Sequence, residues 1–427
     1  MKRGQLLSQL KSGALTDRLT PVYGKNTPAA VRRLRELMHE FADTFPCADD
    51  TDTYLFSTPG RTELGGNHTD PQHGRCLAAS VDLDTIACVV PNGSSAVRIK
   101  SRHHRMAQVD LTDLSVHPEE AGSSVSLVRG IAAKLREMGY TVGGFDAYTT
   151  TRVLRGSGLS SSAAFEVLVG TIMNHLFCGG ELTSTQIAQV GQYAENVYFG
   201  KPCGLMDQLS CATGGVIAID FADPAAPTVQ QVQVDLDQYG YALCIIDSRA
   251  SHADLTADYA AIPREMKQVA ACFGKEVLRE VGPDEFIEAL PRVRAACGDR
   301  AALRARHFFD DNHRVVLQHT ALEQGDFDRF LALVTQSGRS SWMYLQNIST
   351  YRSSSDQPIA LILALAEQLL RGRGACRVHG GGFAGTVQAY VPLDLLDQFA
   401  AGMEALTGEG SCHVLAFRSV GSALLIS

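Results

Sequence analysis

The run Gly156-Ser157-Gly158-Leu159-Ser160-Ser161-Ser162 sets two glycines and three consecutive hydroxyls ahead of a helical pattern. Glycine lets the backbone come close to a ligand. From Ala163 to Met173, Ala164, Val167, Leu168 and Ile172 share one helical face. The loop therefore delivers a helix N-terminus, where unpaired N–H groups and the positive dipole end favour a phosphate. A Gly/Ser turn that merely caps a core helix reads the same way.

Three further segments carry chemistry. Thr58 to Gly74 packs Arg61, Glu63, Asn67, His68 and Asp70 into a glycine-broken stretch after a strand, too polar for a core. It is either a solvated loop or a polar-ligand site offering carboxylate and amide acceptors for sugar hydroxyls, plus one fixed cation. Between Ala194 and Gln208, Glu195 and Asp207 stand among apolar or small residues. A carboxylate buried there must be paired or functional, unless the N–H groups of a helix start satisfy it. Gly380-Gly381-Gly382 alone reads as a tight strand connection. Two nucleotide motifs are excluded. Gly200-Lys201 is followed by Pro202 and has Glu195 where a phosphate-loop glycine belongs, and Ser161 stands where the dinucleotide fingerprint needs its third glycine.

The elements that must position these groups follow from pattern. Residues 1–50 read as helical, with Val31, Leu34, Leu37 and Met38 in a stripe and a break near Pro21–Gly24. Strands are expected at 83–90, 96–100, 144–150, 214–221, 240–246 and 422–426, and helices at 125–138, 185–198 and across 254–372. Strands and helices interleave without regular alternation, which favours α+β over a doubly wound sheet. At 427 residues two or three domains are expected, at about 150 residues each. Pro224–Pro227 is a plausible junction. The division expected is 1–50 as a helical extension, 51–224 and 225–427. Hydrophobic content of 45% with 20% charge supports a sizeable core, and a net charge of -8 argues against nucleic acid or an anionic membrane as partner. The eleven cysteines form no CxxC pair, so reduced thiols in a cytoplasmic protein are expected. Ile359 to Ala366 is the greasiest run and, far short of membrane length, is read as a core helix.

Taken in order, PGR…GxHTD, GxGLSSSA, CGxMDQ and GGGFxG resemble the GHMP small-molecule kinases, specifically the galactokinase family, over roughly residues 50–427. The stretch Ser251 to Tyr259 is similar to the family's segment with a sugar-contacting tyrosine. The resemblance implies a two-domain α+β GHMP kinase fold with the active site in the interdomain cleft. It also implies ATP and Mg²⁺, a small-molecule sugar, and a monomer or weak homodimer. Gly156 to Ser162 would wrap the ATP phosphates, and Ser162 and Glu195 would hold Mg²⁺. Asp207 would accept or orient the proton of the sugar's anomeric hydroxyl. Arg61 beside it would keep it ionised and stabilise the transferring phosphoryl group. Asp70 would bind two ring hydroxyls, with His68, Gly204 and Tyr259 completing the pocket. Gly381 and Gly382 would shape the cleft.

The chain departs from the family pattern GRVNLIGEHTDY. Asn67 replaces the glutamate that contacts the sugar's 6-hydroxyl, and Glu63 brings a charge where an amide is usual. The kinase chemistry is untouched, but the sugar's C6 group becomes the open question. D-galactose is the leading substrate, and galacturonate or an amino sugar the alternative. A non-catalytic galactose/ATP sensor is a third reading, although the residues such proteins lose are intact here.

Overall fold

Two long apolar stretches begin the architecture. Tyr54–Gly65 (β1) and Arg75–Pro91 (β2) pair antiparallel along most of their length in the computed structural model, which describes every residue except 155–157, 251–254, 351–352 and 354. Around them gather Ala96–Ser101 (β3), Ala107–Asp110 (β4), Phe145–Thr151 (β5), Val216–Asp220 (β6) and Thr228–Val232 (β7). A second sheet holds Tyr241–Asp247 (β8), Ala375–His379 (β9), Thr386–Pro392 (β10) and Cys412–Leu415 (β11). The last strand, Ala423–Ile426 (β12), returns to the first sheet. The orders are β12-β1-β2-β5-β3-β4, with β6 on β2 and β7 on β6, and β11-β8-β10-β9. The β3–β5 pair is parallel; the other pairs run antiparallel. The fold is α+β, as the pattern favours, and is built on two sheets, consistent with the two-domain arrangement the resemblance implies.

The first fifty residues form Arg3–Ser12 (α1), Thr16–Tyr23 (α2) and Thr27–Thr44 (α3). Leu6, Leu34, Leu37 and Phe41 bury themselves against Leu55, Ile86 and Ile426, so these helices roof the first sheet. A polar anchor fixes them. Asp84 of β2, fully buried, accepts from Arg33 at 2.6 Å, Tyr23 at 3.0 Å and Ser57 at 2.6 Å. Burial alone would raise this carboxyl, but the Arg33 and Arg418 charges overcome it and hold it below the usual range.

The helices Ser124–Glu137 (α4), Ser161–Phe177 (α5), Ser184–Tyr193 (α6) and Met206–Thr213 (α7) pack together beside the sheet. Thr183 and Gln186 close α6 with a reciprocal capping box. The helix expected to run to Tyr198 instead widens into a π turn over Ala194–Phe199, which carries Glu195. Pro224–Pro227 is the connection of the β6–β7 hairpin, and the first sheet continues past it to Val232. Pro358–Leu370 is a core helix, with Ile359, Ile362 and Ala366 buried against the second sheet. Among the described residues no helix is long and apolar enough to cross a membrane. All eleven cysteines are free, though Cys47, Cys203, Cys272, Cys297, Cys376 and Cys412 are only half-buried.

One expectation is corrected. Thr58–Gly65 is not a polar segment after a strand but the strand β1 itself, with Arg61, Thr62 and Glu63 buried. Register shifts between Pro59 and Arg61, and between Glu63 and Gly65, let the polar side chains turn towards specific partners.

Candidate active site

The phosphate loop crosses directly over β1. A Cβ on Gly60 would lie 2.9 Å from the Leu159 carbonyl oxygen, so only glycine admits the crossing. Arg61 N–H donates to that same carbonyl at 3.2 Å. Gly156 and Ser157 lie outside the described residues. Leu159 is fully buried and pins the loop. Ser160 precedes α5 in the left-handed region, at φ 56°, and makes no side-chain cap. Its hydroxyl donates instead to Asp207 Oδ2. The first turn of α5, with Ser161 and Ser162, is thus left uncapped by side chains.

Asp207 sits in the first turn of α7 and is gripped from two sides. Arg61 Nε donates to its Oδ1 at 2.7 Å, Nη2 pairs with the same oxygen at 2.6 Å, and Nη1 reaches the Gly158 carbonyl. Burial works against the Arg61 charge, yet the Asp207 carboxylate outweighs it and holds the guanidinium above its ordinary range. Arg61, Ser160, Ser162, Glu195, Lys201 and Asp207 line one cavity of about 280 Å³.

Behind that cavity runs a chain of oxygens. Ser162 Oγ bonds Glu166 Oε1 at 2.7 Å, and Gln208 Nε2 donates to both Glu166 Oε2 and Glu195 Oε2 at 2.9 Å. Lys201 Nζ reaches Glu195 Oε1 at 3.2 Å. Burial, then the Glu195 charge, pushes the Glu166 carboxyl well up from the usual carboxylate range. Among the described residues no group of three His, Cys, Asp or Glu side chains is placed to cage a metal ion. The facing donors are hard oxygens, a set that suits a cation completing its shell with water and phosphate.

Asp70 stands close enough to Asp207 to feel its charge, and His68 and Tyr259 meet at the Gly381–Gly382 turn. Asp70 Oδ2 accepts from Met206 N–H at 3.1 Å, and burial raises its carboxyl to about 6, with the Asp207 charge adding to the rise. A Cβ on Gly204 would fall 1.8 Å from Asp70 Oδ2, so glycine is needed there for space. His68, at φ 60°, is pushed down to about 4 by burial and is neutral. Its Nε2 faces the Gly381 carbonyl at 3.1 Å, so that nitrogen carries the proton and Nδ1 remains an acceptor. Tyr259 Oη donates to the Gly382 carbonyl at 2.9 Å.

Asn67 is held inside the protein. It is 1% exposed and occupied at both ends of its amide. Nδ2 donates to Glu63 Oε1 at 3.0 Å and the Gly380 carbonyl at 2.8 Å, and Oδ1 accepts from Asn347 at 2.9 Å. Glu63 is itself neutralised by the buried Arg377. Burial raises the Glu63 carboxyl, with Arg377, Arg61 and Asn67 pulling it back.

A larger cavity of about 730 Å³ opens beside Ser161 and Ser162, with Ile99, Leu127, Phe165 and Phe199 as apolar walls and Arg102 at one edge. Sequence reasoning missed it, because these residues come from four separate elements and each reads as ordinary core. Glu166 did leave a signal: it is the one carboxylate in the apolar run Ala163 to Met173 and so needed partners.

The chain matches the family models for the GHMP kinases N-terminal domain over residues 126–215 and for the galactokinase galactose-binding signature over residues 39–91. Among solved structures it is similar to Lactococcus lactis galactokinase complexed with galactose, at 24% identity over 92% of this chain and 99% of that one, with a TM-score of 0.78. It also resembles Methanococcus jannaschii mevalonate kinase, at 14% identity over 86% and 98% of the two chains and a TM-score of 0.57. A D-glycero-D-manno-heptose 1-phosphate kinase from Bacteroides thetaiotaomicron gives 14% identity over 87% and 98%, and again 0.57. These structural likenesses show a shared fold. The two family matches, each over a part of the chain, support the GHMP kinases and within them the galactokinase family. The matched galactose-binding signature spans β1, the Asn67–Asp70 segment and β2.

Proposed function

We propose that this protein is an ATP-dependent sugar 1-kinase that phosphorylates the anomeric hydroxyl of D-galactose. The observation that carries the reading is Asp207, clasped by Arg61 and Ser160 on the wall of the phosphate-loop cavity, with the Asp70 carboxyl near enough to feel its charge. A hydroxyl held on the Asp70 side and a phosphoryl group at the α5 N-terminus would meet at this carboxylate. The sugar oxygen forms a bond to the terminal phosphorus as the bond from that phosphorus to the bridging oxygen breaks. ADP leaves, and the hydroxyl proton passes to Asp207. Such transfers run through loose transition states, so positioning and charge do most of the work. Arg61 orients Asp207 and places positive charge beside the migrating group.

Ser162 and Glu195 would hold Mg²⁺, which would supply charge neutralisation on the terminal phosphates. The ATP base would enter the 730 Å³ cavity between Phe165, Phe199 and Leu127. The ground for considering a uronic acid or an amino sugar was an amide facing C6. Asn67 is buried with its amide engaged at both ends, which favours galactose over these alternatives, and the match to the galactose-binding signature supports the same sugar.

Purified enzyme offered galactose, galacturonate, galactosamine and glucose, with ADP release as readout, should turn over galactose. Turnover of another sugar with none of galactose would sink the reading. Asp207→Asn should lower kcat by about 10²–10⁴-fold and leave ATP binding intact. Unchanged kcat would show that Asp207 has been given the wrong role.

A further inference from the structure

The three consecutive carbonyls of Gly380, Gly381 and Gly382 are each taken by a side chain from far outside the turn. Gly380 O accepts from Asn67 at 2.8 Å. Gly381 O meets His68 Nε2 at 3.1 Å and accepts from Asn347 at 3.2 Å. Gly382 O accepts from Tyr259 at 2.9 Å. The turn joins β9 to β10 of the second sheet, whereas Asn67 and His68 follow β1 of the first. Asn67 therefore spans the two sheets. Its backbone is fixed as well: N–H donates to Asp311 at 2.8 Å, and its carbonyl meets His307 Nε2 at 2.9 Å.

The residue types are interlocked. Asn67 Nδ2 can donate to Gly380 O and to Glu63 only as an amide; a carboxylate at 67 would face a carbonyl and a second buried carboxylate. Glu63 is tolerated in the interior because Arg377 neutralises it and Asn67 caps the same oxygen. Glu63 thus requires an amide at 67, and the amide reaches the glycine turn.

We infer that Asn67 is a positioning residue for the sugar site, setting the Gly380–Gly382 turn, and through it His68 and Tyr259, without touching the sugar. The inference rests on the sugar-kinase reading above and adds to it that residue 67 governs sugar affinity from behind the pocket wall.

Two variants separate this role from plain stabilisation. Asn67→Asp is close in size but removes the donor to Gly380 and sets two carboxylates together, so both thermal stability and sugar affinity should fall. Adding Glu63→Gln restores one carboxylate and one amide facing each other, yet leaves Gly380 O without its donor. The double variant should therefore regain most of the lost Tm while its KM for galactose stays at least fivefold raised, with kcat and the KM for ATP within twofold of the parent. If KM recovers together with Tm, the residue is merely structural and the inference is overturned. If Asn67→Asp alone leaves KM for galactose unchanged, it is overturned as well. Should Asn67→Asp fail to fold, Asn67→Ala removes the donor without adding charge, and the same KM shift is expected. Failure of the underlying reading would look different: the parent enzyme would turn over no sugar at all.

Discussion

Asp70 ties the chemistry of the pocket to pH at the level of one residue. Its carboxyl titrates near 6 in the folded protein, because burial and then the Asp207 charge outweigh the N–H bonds from Met206 and Leu205. To accept from sugar hydroxyls on both oxygens it must be ionised. kcat/KM for galactose should therefore fall about tenfold per pH unit below 6 and level off above it. A flat profile through pH 5 would remove Asp70 from the sugar site. Stability moves the other way. A folded-state value raised above the unfolded one means that the folded protein holds this proton more tightly, so the Asp70 contribution declines as pH rises from about 4 to 6. Asp70→Asn should accordingly raise the Tm at pH 7 and leave it unchanged at pH 4, while destroying sugar affinity. Gly204→Ala attacks the same carboxylate sterically, through a Cβ 1.8 Å from Oδ2. A misplacement of about 1 Å in such a site lowers turnover on the order of 10²-fold.

At the scale of elements, the junction into α5 holds a stored conformational cost. Ser160 is a non-glycine residue in the left-handed region, worth roughly 1–2 kcal/mol, and its side chain is committed to Asp207. Ser160→Gly should relieve the backbone while losing the Asp207 contact, and Ser160→Ala should lose the contact and keep the strain. Both should lower kcat, but the glycine variant should melt above the alanine variant. Equal melting temperatures would mean that the loop stores nothing. The α1–α3 layer acts differently. Leu34 is fully buried against β1, β2 and β12, so Leu34→Ala should destabilise the protein by about 2–5 kcal/mol in urea unfolding while leaving KM for galactose at 25 °C alone.

Across the whole molecule, what the sequence made legible and what it hid divide along chain separation. The phosphate loop, the two carboxylates Glu195 and Asp207, and the Arg61–Asp70 cluster announce themselves by local composition. Most helices and strands follow from periodicity. Hidden was the burial of Thr58–Gly65, because charge reads locally as exposure. Only distant partners reverse that reading: Arg377 for Glu63, 314 residues away, and Gly380 for Asn67, 313 away. The nucleotide-sized cavity, assembled from β3, α4, α5 and the π turn after α6, was invisible for the same reason.

β12 gives this long-range wiring a consequence in time. Thr58, at the heart of the active-site strand, shares a hydroxyl contact of 2.6 Å with Ser422, 364 residues further along, just before β12 pairs with β1. On the ribosome, β1 emerges early with one edge bare and waits through most of translation for the strand that covers it. During that interval an unpaired strand edge beside a half-formed core is exposed to other nascent chains. The first fifty residues, made before β1, are already available to roof it, so they can shelter the nascent sheet until its last strand arrives.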